Sequence, residues 1–210
     1  MTSFFELFAV ALPAVFFVVD PVGVVPLFLA ITAGDSSKKL HRTALRASVA
    51  GGGVLLFFAL FGGVLFKWLG VSLSAFRVAG GLVLLMSSLD MLRARQSPTK
   101  TSEEETKEGV AKDDVALVPL GIPMLAGPGS IATVVVLMSK GKGWASPLAV
   151  FLAIALTFAA TFFILRGATY VQRVLKRSGV AIIQRVMGLL LAAIAVQFVA
   201  EGVRDLLHLR

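Results

Sequence analysis

Val19-Asp20-Pro21-Val22-Gly23-Val24-Val25-Pro26 stands in the middle of an apolar segment that runs from about Phe4 to Ala33. An acid and two prolines have no ordinary place there. A proline inside a helix removes one backbone hydrogen bond and clashes with the preceding turn, at a cost of about 3 kcal/mol. A second cluster of this kind, Gly127-Pro128-Gly129-Ser130 preceded by Pro119 and Pro123, interrupts the segment from Val115 to Ser139. Asp at an N-cap with Pro at the first helical position is a helix-start signal. Asp20-Pro21 is therefore expected to open a second half-helix, and Gly127-Pro128 to do the same.

The surroundings decide what such breaks mean. Of the 210 residues, 57% are apolar and 15% charged, against about 45–50% and about 25% in ordinary soluble domains. Mean hydropathy is +0.90. A chain this short cannot hide so much apolar surface in one water-soluble core, so it reads as an integral membrane protein. In lipid, backbone groups freed by a proline cannot turn to water. Breaks persist only where they are buried in protein or line a cavity. Six segments are apolar enough to span: about Phe4–Ala33, Ala47–Phe66, Val71–Leu92, Val115–Ser139, Gly143–Leu165 and Gly179–Gly202. The start, Met1 to Phe8 with Glu6 as its first charge, lacks the basic region of a cleavable signal peptide.

Residues 94–114, with Ser97-Pro98-Thr99 and Glu103-Glu104-Glu105, read as a solvated linker. They divide the chain into a first three-helix unit (residues 1–93) and a second (residues 115–210). Lysines and arginines set the orientation. Fourteen fall on the side of the first, central and fifth loops, and six on the other. The richer side is expected to be cytoplasmic, with both termini outside. The net charge of +8 is thereby explained by topology, and nucleic acid is not an expected partner. There are no cysteines, and the two histidines, His41 and His208, sit in polar flanks. Neither a metal site nor a cofactor is expected, nor is an enzyme activity.

The halves resemble each other. Arg77-Val78-Ala79-Gly80-Gly81-Leu82 matches Arg185-Val186-Met187-Gly188-Leu189-Leu190 at an offset of 108, and Pro21 faces Pro128 near the same offset. Because each half has three spans, the second enters the membrane inverted, a common plan of secondary transporters. The expected fold is thus all-α, with six transmembrane helices in two inverted triplets and helices one and four broken near mid-membrane. Paired broken helices are the best sequence pointer to a transporter's site. A helix N-terminus offers free N–H groups and about half a positive charge to an anion. Asp20 brings a negative charge, and intramembrane acids are costly and usually functional. It is the candidate for ion or proton coupling and for holding a substrate ammonium. The second break, with Gly127 in place of the acid, suits a carboxylate. Together they suit a small zwitterion. Candidate substrate-binding residues are Asp20, Pro21, Gly23, Gly127, Pro128, Gly129, Ser130 and Gln197. Thr133, Thr157 and Thr161 are weaker candidates. The pairs and runs of glycine at 51–53, 62–63 and 80–81 are expected to allow close helix packing.

Three stretches carry a resemblance to a known family. Val19 to Pro26, then Val118-Pro119-Leu120-Gly121-Ile122-Pro123-Met124-Leu125-Ala126-Gly127-Pro128-Gly129-Ser130-Ile131, then Gly188 to Phe198 with Gln197 are similar to the MarC family of integral membrane proteins, in the same order and spacing. That family more distantly resembles the LysE-type exporters and includes SnatA, a transporter of small neutral amino acids. The resemblance implies six helices in inverted triplets in a bacterial cytoplasmic (inner) membrane. It implies a site at Asp20, Pro21 and Gly23 and at Gly127, Pro128 and Gly129.

Transport of glycine- or alanine-like substrates is therefore the expected function, with drug or other metabolite efflux as the alternative. A large amphiphile would want an aromatic-lined cavity, whereas the motif residues are small and Tyr170, the only tyrosine, lies in a flank. An intramembrane aspartyl hydrolase needs two carboxylates at one depth, and Asp90 lies roughly 10 Å from the depth of Asp20. No phosphate-binding loop exists. The sequence leaves open a homo-oligomer, the direction of transport and the coupling ion.

Overall fold

The structure is a computed structural model that describes residues 4–93, 125–140 and 143–207. The proposed linker at 94–114, and the half of the fourth segment that contains Pro119 and Pro123, lie outside those residues.

Among the described residues the chain forms helices throughout. They are α1 (Phe4–Val19), α2 (Val25–Ile31), α3 (Ser37–Trp68), α4 (Leu73–Leu92), α5 (Pro128–Lys140), α6 (Ala145–Arg166) and α7 (Ala168–Leu206). Four stretches are long and apolar enough to cross a membrane: Ser37–Trp68, Leu73–Leu92, Ser146–Arg166 and Ser178–Leu206. The two shorter apolar helices, Phe4–Val19 and Pro128–Lys140, are those that meet the breaks. Ser36 and Ser72 cap α3 and α4 through their hydroxyls, accepting from Lys39 N–H at 3.3 Å and Ala75 N–H at 3.1 Å. α7 bends at Lys176, whose φ of 53° separates a short amphipathic stretch from the apolar span.

Two buried clusters organise the bundle. One gathers Ala11, Val15 and Phe28 of the first segment with Leu55 of α3, Leu137 of α5 and Ile154 of α6. The other joins Leu84 and Met91 of α4 to Met187, Leu191 and Phe198 of α7, against Val18 and Val136. α4 and α7 run antiparallel in close contact, and glycine makes that approach feasible. A Cβ on Gly81 would lie 2.9 Å from Ala195 O and 3.1 Å from Val199 N. A Cβ on Gly188 would lie 2.9 Å from Ser88 O and 3.1 Å from Leu92 N. Lipid tails are as apolar as leucine, so helices in a membrane associate through such close packing.

These two contacts mirror each other residue for residue. Gly81 and Gly188, Ser88 and Ala195, and Leu92 and Val199 are each 107 apart, as are Pro21 and Pro128. The offset of 108 expected from the sequence is thus one residue too large. The Gly80-Gly81 doublet allows either register on paper. In the structure Gly80 faces α5, where its Cβ would meet Ala132 Cβ at 2.5 Å, and Gly81 is the one that faces α7.

Candidate functional site

At the first break Asp20 is 4% exposed and adopts φ 54°. This left-handed conformation is costly for most residues, but Asp is among those that visit it. Its N–H still bonds to Phe16 O at 3.0 Å and closes α1, while its C=O accepts from Val24 N–H at 3.3 Å. The side chain turns back along the chain, and Oδ1 accepts from Gly23 N–H at 3.0 Å. The expectation that Asp20-Pro21 starts the half-helix is corrected here. α2 begins at Val25, with Val24 as N-cap, no side-chain cap and a proline in its first turn. Asp20 lies four residues before that N-cap, and its carboxylate accepts from Gly23 N–H, so it caps the single turn between the helices. The helix-starting proline is Pro26. Pro21 is buried and opens the intervening turn.

Gly23 has no room for a side chain. A Cβ there would collide with the Asp20 carboxylate and come within 2.5 Å of Gln184 Nε2. Gln184, half-buried on α7, therefore reaches the first break alongside the acid. A glutamine early in an apolar span, close to the depth of the break, was the available signal.

At the second break the expectation holds. Pro128 is the first residue of α5, where its missing N–H costs nothing. Ile131 N–H bonds to Gly127 O at 3.1 Å. Ser130 Oγ donates to Gly127 O at 2.9 Å, and Thr133 Oγ1 to Gly129 O at 2.9 Å. Both hydroxyls are buried and donate to carbonyls at the start of the helix; the first N–H groups of any α-helix have no intrahelical acceptor. Thr161 likewise donates to Thr157 O at 2.8 Å.

The two breaks come together. α1 places Asp20 about 24 Å from Phe4, and α5 places Gly127 about 20 Å from Lys140, against about 48 Å for the full length of α3. Val18, two residues before Asp20, lies 3.7 Å from where a Gly129 Cβ would sit, and Leu84 Cδ2 lies 3.1 Å from it. Leu84 and Leu191, 107 apart, help to line the crevice over Gly127–Ser130. Its volume is about 10 Å³, room for one water at most.

Gln197 is not part of this group. It lies on an exposed face of α7, where Nε2 donates to Glu201 Oε1 at 2.8 Å. There it borders a polar cluster at the end of the bundle that carries Glu6. Arg77 Nη1 meets Asp205 Oδ2 at 2.7 Å, and Lys140 Nζ meets Glu201 Oε2 at 3.2 Å. Arg77, which the sequence offered only as half of a repeat signature, thus ties α4 to α7, and Lys140 ties α5 to α7. Among the described residues no group of three His, Cys, Asp or Glu is arranged to hold a metal ion.

Comparison with known proteins agrees with this architecture. The model of the MarC family of integral membrane proteins matches residues 3–207. The chain is 38% identical over 202 residues to a UPF0056 membrane protein of Methanocaldococcus jannaschii, covering 96% of this chain and 98% of that one. It is 36% identical over 207 residues to a UPF0056 membrane protein of Aquifex aeolicus, covering 99% and 97%. It is 30% identical over 192 residues to the UPF0056 membrane protein YhcE of Escherichia coli, covering 91% and 89%. No solved structure matches. The family match spans both breaks and the α4–α7 pair, and the chain belongs to the MarC (UPF0056) family of multi-pass integral membrane proteins.

Proposed function

We propose that the protein is a secondary transporter of small neutral amino acids, of the glycine and alanine class. It works in a bacterial cytoplasmic (inner) membrane, driven by a proton or ion gradient, and leaves its substrate chemically unchanged. The observation that carries this reading is the pairing of unlike breaks. A buried carboxylate, Asp20, stands at one, and a helix N-terminus without an acid, Gly127-Pro128, stands at the other. One suits an ammonium and the other a carboxylate. In this reading the chain has six spans in two inverted triplets, related by the offset of 107, with both termini outside.

The small crevice at the second break limits substrate size. It must open to admit even glycine, as alternating access between the two repeats requires. Its described lining has aliphatic, hydroxyl, thioether and glycine or proline groups and no aromatic ring, which favours a small zwitterion over a large amphiphilic drug. The test is uptake of labelled glycine and alanine into proteoliposomes under imposed proton or sodium gradients. Accumulation above equilibrium under one gradient is expected. Liposomes that accumulate neither amino acid under either gradient would refute the reading.

A further inference from the structure

A second cavity, about 480 Å³, opens at the end of the bundle that carries Glu6. It lies between α1, α4, α5 and α7, away from the breaks, and falls within the about 300–1,000 Å³ typical of small-molecule sites. Its charged lining residues are two cations, Arg77 and Lys140, and two anions, Glu6 and Glu201. Gln197 stands among them, and the floor is apolar, with Phe198 beneath Lys140 at 5.4 Å from Nζ to the ring centroid.

Three features separate this from a solvated charge patch. Arg77 is 12% exposed along its side chain, and its Nε is buried with no hydrogen-bond partner among the described residues. A buried donor left unsatisfied is costly. The Lys140–Glu201 pair is loose, at 3.3 and 3.2 Å to the two carboxylate oxygens, and it is three-quarters buried rather than dry. Each cation already has a carboxylate partner, Lys140 in Glu201 and Arg77 in Asp205 just outside the lining. A guest with a single charge would leave one of these groups unpaired, whereas a zwitterion can exchange into the Lys140–Glu201 pair. Its carboxylate takes the place of Glu201 at Lys140, and its ammonium takes the place of Lys140 at Glu201.

We propose that this cavity is an entry site for zwitterionic α-amino acids, with Lys140 and Arg77 receiving the carboxylate and Glu201 and Gln197 the ammonium. It rests on the transport reading above and adds a second site to it. The cavity is far larger than glycine needs, so it selects by charge pattern and leaves the tight crevice at Gly127–Ser130 to select by size.

The chain has no cysteine, which makes the test clean. Val10 lines the cavity from α1 and is 56% exposed. Val10→Cys should react with a membrane-impermeant maleimide in proteoliposomes, and millimolar alanine should slow that reaction at least fivefold. Ethylamine and propionate, which carry one charge each, should not. Lys140→Gln should abolish protection at position 10. That pattern also excludes a distant closing motion, which would survive Lys140→Gln. Absence of labelling at Val10→Cys, absence of protection there while the wild-type chain accumulates labelled alanine, or protection that survives Lys140→Gln would each overturn the entry site and leave the transport reading standing. Failure of the wild-type chain to accumulate alanine would instead indict the transport reading.

Discussion

Gly23→Ala is the sharpest probe of the first break. Gly23 does not have positive φ, so alanine is acceptable to its backbone and any effect comes from contact. The new Cβ would collide with the Asp20 carboxylate, lying 2.6 Å from its Cγ, and would come within 2.5 Å of Gln184 Nε2. The glutamine amide ends a flexible side chain and can withdraw. Asp20 is buried and pinned by the 3.0 Å bond from Gly23 N–H, so it must rotate and give up that bond. A hydrogen bond to a charged group contributes about 1.5–3 kcal/mol, and overpacking of a tight interior costs about 1–3 kcal/mol. The two describe one displacement and do not add, so a loss of about 2–3 kcal/mol is expected. Gly53→Ala is the control, because a Cβ there meets nothing within 4 Å, and better helix propensity should leave it neutral or slightly stabilised. The assay is thermal unfolding of purified protein alongside gradient-driven uptake in proteoliposomes. Gly23→Ala should lower stability and reduce uptake by more than tenfold, while Gly53→Ala changes neither. Adding Gln184→Ala should not rescue it, since the collision with Asp20 persists. Wild-type stability and uptake in Gly23→Ala would show that Asp20 is free to move, and the account of the break would be wrong.

Four further outcomes follow from the same contacts. Asp20→Asn keeps an oxygen for Gly23 N–H but cannot ionise; it should fold yet hold substrate more weakly and lose accumulation against a gradient, and unchanged accumulation would reduce Asp20 to a structural cap. Gly129→Val places two methyls beyond a Cβ already 3.1 Å from Leu84 Cδ2; glycine and alanine binding should disappear from the folded fraction, and lower stability with intact affinity would mean that Gly129 serves packing alone. Gly188→Ala forces a methyl against Ser88 O and Leu92 N, backbone atoms at 2.9 and 3.1 Å, and should cost about 1–3 kcal/mol, with Gly81→Ala matching it to within about 1 kcal/mol if the two contacts are equivalent. Single cysteines at Ser37 and Val71 report topology; an impermeant thiol reagent applied to intact cells should label position 71 and spare position 37, and the reverse pattern would invert the protein in the membrane.

Much of this architecture was legible in the sequence because lipid leaves few alternatives. A proline and an acid in an apolar span announce a broken helix at once, and Pro128 lies where its ring and missing N–H are tolerated. The first break was placed correctly but its capping was not. The left-handed φ of Asp20 delays α2 to Val25, and local sequence cannot distinguish an acid that caps a helix from one that caps a turn. The register of the repeat missed by one residue because two adjacent glycines satisfy the same pattern. Only the packing shows that Gly80 serves α5 and Gly81 serves α7. Gln184 and Gln197 illustrate the remaining limit. Both are glutamines in one helix, yet one reaches Gly23 and the other Glu201. Which face of α7 meets which neighbour is a property of the assembled bundle and has no local signature.

The offset of 107 sharpens the chemical contrast between the breaks, because it sets Asp20 opposite Gly127 and Gly23 opposite Ser130. At the first break an N–H is answered by an anion from the chain itself, Gly23 to Asp20. At the second the equivalent acid is absent, and the hydroxyl of Ser130 donates to the Gly127 carbonyl. In the transport reading, the N–H groups of that helix start, with about half a positive charge behind them, would take their anion from a substrate carboxylate. The two breaks are adjacent, joined through Val18 and Gly129, so an amino acid held at the second would bring its ammonium toward Asp20. Protonation of Asp20 would then remove the negative charge that holds the ammonium and leave the carboxylate contact unchanged. On that reading release is tied to a proton without dismantling the site, and an acid is needed at one break and not at its counterpart.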